Sequence, residues 1–108
     1  MTTQQEARAI MTITQNYPFE QQREILVEEC AELIQAAQKM KRNSADLTAY
    51  NNFIEEIADV SIMIDQMFAY IGPRHISTIR EKKLQRQMER IENERSDYVQ
   101  ETASRYYP

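Results

Sequence analysis

Residues Glu55–Met67 read EEIADVSIMIDQM, acidic side chains set into a run of Ile, Val, Ala and Met. A second stretch upstream, Val27–Met40 or VEECAELIQAAQKM, repeats the arrangement. Charge beside so much apolar surface needs compensation, so what these carboxylates hold is the first functional question.

The setting of both stretches is helical. The chain has 108 residues, one Gly and three Pro. That leaves little material for hairpins or Gly-rich turns, whereas abundant Ala, Glu, Gln, Arg, Met and Leu favour long helices. The expected class is all-α, an antiparallel helical bundle in one small domain over residues 1–108. A chain of this length buries only a modest core, which makes a partner chain plausible from the outset. Seventeen acidic against thirteen basic residues give a net charge of -4. This disfavours a general nucleic-acid binder, whose affinity for phosphate backbones needs a basic surface. The lone cysteine, Cys30, cannot close an intrachain disulfide and reads as a small, buried, apolar residue. The expectation is a soluble, unprocessed protein of the reducing cytoplasm, without a signal peptide or a membrane helix.

Punctuation marks divide the chain. Pro18 suits the first turn of a new helix, so residues 1–17 form an arm or a short helix. A helical pattern then runs from Phe19 to Lys41 and ends in KRNSAD, where Asn43, Ser44 and Asp46 offer capping side chains. The next helix stops at Gly72-Pro73. Ser77, or the loop before it, opens a last helix reaching about Thr102, with 103–108 as a tail. Short loops make the helices antiparallel neighbours.

At about 100° per residue, Ile25, Leu26, Leu33, Ala36 and Met40 line one stripe of the second helix. Glu29 falls inside this stripe and Glu32 at its edge, while Glu28 turns away. On the third helix Phe53, Ile57, Val60, Ile64, Met67 and Ile71 form the stripe. Glu56 and Asp59 flank it beside Met63, and Glu55 points nearly opposite. Each helix therefore carries an i, i+3 acidic pair against the core. Val27, Ile34 and Ile62 add apolar side chains outside the stripes, which favours an oligomer.

Four carboxylates converging on a bundle interior repel and lose hydration, and a hard divalent cation compensates them by taking several oxygens at once. Arginines at a helix interface would compensate them too, and that alternative stays open. A di-iron site of the Glu-x-x-His type needs two inward histidines, but His75, the chain's one histidine, lies in the Gly-Pro break as a surface or capping residue. Mg2+ or Mn2+ suits an all-oxygen set better than iron or zinc.

EECAEL followed by EEIADV resembles the ExxE…ExxD signature of the MazG-like, all-α NTP pyrophosphatases. Glu29-x-x-Glu32 and Glu56-x-x-Asp59 match the family's metal ligands, and the likeness covers about Pro18 to Arg90. It implies Mg2+-dependent hydrolysis of a nucleoside triphosphate between the α and β phosphates, giving a monophosphate and pyrophosphate. It also implies a homodimer or homotetramer, with four-helix units completed by oligomerisation. Relatives bearing the signature include dUTP and dCTP pyrophosphatases and phosphoribosyl-ATP pyrophosphohydrolases, and nothing in this chain chooses among them.

The residues are compatible with that chemistry. No GxxxxGK[ST] loop is present to wrap phosphates, so cations and side chains must neutralise them. In IREKKLQRQMER, Lys83, Arg86 and Arg90 share a helical face, and the resemblance makes Lys83 and Arg86 the phosphate contacts. A solvated charged helix would carry the same residues. Glu29 is the candidate to accept a proton from the attacking water. Gln22, two turns before Glu29, reads either as an amide facing the base, as in similar proteins, or as a helix-surface amide. Two non-catalytic readings stay open: a helical interaction module, and a nucleotide-binding regulatory relative without turnover.

Overall fold

The computed structural model describes residues 1–106, which contain four α-helices and no strand. They are α1 (Thr3–Asn16), α2 (Phe19–Arg42), α3 (Leu47–Ile71) and α4 (Pro73–Tyr106). The chain divides into two compact units, Met1–Gly72 and Pro73–Pro108, of which the second contains α4. None of the described helices is long and apolar enough to cross a membrane.

Local chemistry sets the helix limits. The Thr2 hydroxyl accepts from the Gln5 amide at 3.1 Å, and the Gln5 side chain accepts from the Thr2 amide at 2.7 Å. This reciprocal capping box makes the N-terminal segment, expected as an arm or a short helix, a 14-residue helix. Pro18 stands before α2 in an extended conformation. Lys39, Lys41 and Arg42 populate the last turn of α2, where the helix dipole favours cations. Asp46 caps α3, its Oδ1 accepting from the Thr48 and Ala49 amides at 2.9 and 3.2 Å. Gly72 ends α3 at φ 107°, a conformation that favours glycine, although an added Cβ would meet nothing within 4 Å. Its requirement is conformational rather than spatial.

Two boundaries differ from the sequence expectation. The last helix opens at Pro73 rather than near Ser77, because proline is preorganised for a first helical turn. His75 therefore lies exposed in that turn. The helix also continues past Thr102 to Tyr106, so the expected tail is helical as far as it is described, and Tyr107 and Pro108 lie outside the described residues.

In the first unit α2 packs along α3, and α1 packs against α3. Early α2 meets late α3, since Gln22 bonds Gln66 and the Tyr70 phenol donates to the Tyr17 carbonyl at 2.6 Å. The pair is therefore antiparallel, as the four-residue connection between the helices requires. Ala36, Ala49, Met63 and Met67 form the buried apolar core. Phe19 meets Tyr70 edge-on at 5.5 Å, closing the end of the pair where α2 begins.

The packed face of α3 is rotated from the expected stripe. Met67 is buried and Phe53 and Val60 are half-buried, but Ile57, Ile64 and Ile71 are exposed, while Met63 and Gln66 are buried instead. One helix covers only part of a stripe this wide, and α2 covers the flank containing Glu56. Val27 and Ile34 of α2 are also exposed.

Candidate metal centre

Helical spacing and antiparallel packing together build the acidic cluster. On α2, Glu29 and Glu32 lie one turn apart, with Glu29 half-buried and Glu32 exposed. On α3, Glu56 is half-buried and Asp59 exposed. One carboxylate oxygen from each of Glu29, Glu32 and Glu56 lies within 4.8 Å of the other two. Asp59 is not in this triad, but its charge reaches both Glu29 and Glu56. Glu28 and Glu55 are exposed outside it.

Electrostatics strain the cluster. Burial raises the Glu29 carboxyl above the ordinary glutamate range, and the charges of Glu32, Asp59 and Glu56 push it further, as does a hydrogen bond with Glu32. Burial also raises Glu56, followed by the charges of Glu32 and Asp59, the hydrogen bond with Glu32 and the charge of Glu55. The Oε2 atoms of both Glu29 and Glu56 are shielded from solvent and lack a hydrogen-bond partner. Such orphaned acceptors are costly unless something satisfies them.

Arginine does not supply that compensation within residues 1–72. The ion pair there joins Arg23 to Glu24 at 3.5 Å, outside the acidic cluster, and α3 has no basic residue. A divalent cation fits the site by the chemistry of its donors: an all-oxygen set from three carboxylates, two of which also carry a shielded, unpartnered oxygen.

Gln22 is neither exposed nor a helix-surface amide. It is buried in the α2–α3 interface, where its Nε2 donates to Gln66 Oε1 at 2.8 Å while its own Oε1 has no partner. Gln66, which sequence reasoning passed over, is 2% exposed and points its Nε2 at the Met63 sulfur at 3.5 Å. Its sequence signal was a polar residue between two core methionines. Lys83 and Arg86 are exposed on α4, in the second unit. Arg90 on the same helix donates to Gln87 Oε1 at 3.3 Å.

The fold and site together define an all-α chain with a carboxylate cluster set between two antiparallel helices. No family model, curated protein or solved structure matches the chain.

Proposed function

We propose that this chain is a Mg2+-dependent nucleoside triphosphate pyrophosphohydrolase of the MazG-like type, with Mn2+ as a possible substitute. Its reaction adds water to an NTP or dNTP and breaks the anhydride between the α and β phosphates, releasing a monophosphate and pyrophosphate. The observation that carries this reading is the convergence of Glu29, Glu32 and Glu56, with two carboxylate oxygens shielded and unpartnered. The ExxE…ExxD spacing supports it independently.

In this reading Glu29, Glu32 and Glu56 hold the cation and Asp59 completes the acidic set. When bound, Mg2+ supplies neutralisation of phosphate charge and a lowered pKa for water. Glu29 accepts the proton of the attacking water, as a carboxylate within reach of that water can. Lys83 and Arg86 bind phosphate oxygens, whereas Gln22, buried and paired with Gln66, belongs to the core and leaves the base contact unassigned. The substrate is thus a triphosphate of the nucleotide pool, and the reaction serves its housecleaning. The working form is a homodimer or homotetramer, an arrangement favoured by the exposure of Val27, Ile34, Ile57 and Ile64. The same exposed residues would serve a non-catalytic oligomerisation module, which the activity assay separates.

That assay incubates a panel of ordinary and altered NTPs and dNTPs with Mg2+ or Mn2+ and reads monophosphate and pyrophosphate. The expected result is metal-dependent release of both products in equal amounts from at least one nucleotide. Release of inorganic phosphate alone, or of nothing, contradicts the proposal.

A further inference from the structure

We propose that α4 is a self-association helix, its Ser77–Thr102 seam pairing antiparallel with the same seam of a second copy. This specifies a surface for the proposed oligomer but does not depend on the metal site or on turnover. The helix has 34 residues and a length of about 51 Å. Along it Leu84, Met88, Ile91, Arg95, Tyr98 and Thr102 recur at alternating intervals of four and three, the spacing of a coiled-coil seam. Leu84, Met88 and Tyr98 are 55, 60 and 70% exposed, so the seam presents apolar knobs. Shallow concavities accompany them, one lined by Ile91, Glu94, Arg95, Tyr98 and Val99 and another by Ile76, Ile79, Arg80, Lys83 and Leu84.

Charge names the occupant and its direction. Residues 73–90 carry Arg74, Arg80, Lys82, Lys83, Arg86 and Arg90 against Glu81 and Glu89. Residues 91–106 carry Glu92, Glu94, Asp97 and Glu101 against Arg95 and Arg105. The helix therefore has a basic first half and an acidic second half, which complement each other only when two copies run antiparallel. A parallel pair would also set Glu81 against Glu81 and Arg95 against Arg95 in the seam, both repulsive.

In the antiparallel register that places Met88 on Ile91 of the second copy, the flanking positions match. Arg80 faces Glu101, Gln87 faces Glu94 and Gln85 faces Glu92, with no like charges opposed. Glu101 is already held by Arg105 at 3.5 Å, and its second carboxylate oxygen is left for Arg80. Arg95 lays its aliphatic stem on Leu84. The overlap, residues 77–102, spans roughly three and a half heptads, with Leu84, Met88, Ile91 and Tyr98 as its apolar contacts.

Cross-linking of the full chain in a Cys30→Ser background tests orientation and occupancy together. Gln87→Cys and Glu94→Cys chains, distinguished by a mass tag, are mixed at micromolar concentration and treated with a short bis-maleimide. The expected result is a heterodimeric product exceeding both homodimeric ones by roughly tenfold, because pairing raises the effective thiol concentration. The outer-face pair Asn93→Cys and Gln100→Cys should give only the random mixture, and adding Met88→Glu to the first pair should abolish its excess. A random mixture from the first pair, or an excess of homodimers, overturns the proposal. So does an absence of linkage, the outcome if a different protein or another face of this chain covers the seam. Pyrophosphate release is not read, so failure here is distinguishable from failure of the proposed activity.

Discussion

Gln22 and Gln66 form a buried amide pair across α2 and α3, Nε2 to Oε1 at 2.8 Å, in a core whose other buried side chains are alanines and methionines. Truncating one partner strands the other. Gln66→Leu is therefore expected to destabilise the fold by about 1–3 kcal/mol. Gln22→Leu combined with Gln66→Leu should recover much of that loss, since neither amide then remains unpaired. Urea unfolding of both variants checks this, and equal losses in the single and double variants would refute it.

Metal should be linked to stability. If Glu29, Glu32 and Glu56 share a cation, millimolar Mg2+ or Mn2+ raises the melting temperature, as any ligand specific for the folded state must. Glu56→Gln should remove most of this response while leaving the helices intact. An unchanged melting curve with metal in excess would count against the centre.

The pH dependence has a definite sign without metal. Folding raises the Glu29 and Glu56 carboxyls above 4.5, so between 4.5 and their raised values the folded chain binds more protons than the unfolded one. Their contribution therefore favours the fold in acid and is lost as pH rises through that window. In a chelator, Glu56→Gln should melt higher than the wild type at neutral pH, and the difference should close as pH falls below 4.5. Added Mg2+ should reverse the order at neutral pH, because ionised carboxylates then have a partner. Differential scanning at several pH values reads both effects.

Neighbouring carboxylates should behave differently. Glu29→Gln is expected to lower pyrophosphate release by at least about a hundredfold, in line with losses at metal ligands. Asp59→Asn should also be severe if its charge belongs to the working set. Glu28→Gln and Glu55→Gln should stay within a few-fold of wild type. Steady-state kinetics of the four variants decides this, and equal losses at Glu28 and Glu29 would mean that Glu28 participates.

Lys83→Ala should lower kcat/KM without changing the Mg2+-induced rise in melting temperature, because its proposed partner is phosphate. Loss of the metal response in this variant would contradict that assignment.

Much of the fold was legible because its signals are local. Pro18 and the Gly72-Pro73 step fixed the limits of α2 and α3, and Asp46 was visible as a cap. The i, i+3 spacing read against the apolar stripes singled out Glu29, Glu32, Glu56 and Asp59, of which the first three converge. The phase of α3 was less legible, because a stripe from Phe53 to Ile71 does not disclose which flank its neighbour covers. Exposure of Ile57 and Ile64 and burial of Gln66 follow from where α2 lies. The Gln22–Gln66 bond spans 44 positions and has no local signature. The opening of the last helix is hard to place from sequence because Gly72-Pro73 reads as one break, whereas glycine closes one helix and proline starts the next.

The chain's single glycine stands between two chemically opposite inventories. All four candidate metal-binding carboxylates precede Gly72, and Lys83 and Arg86 follow it. Substitutions that retune anion affinity on α4 can accumulate without touching a cation ligand, and changes among the carboxylates leave the basic helix as it was. The two halves of the proposed chemistry are thus open to independent variation, so a descendant could lose one and keep the other.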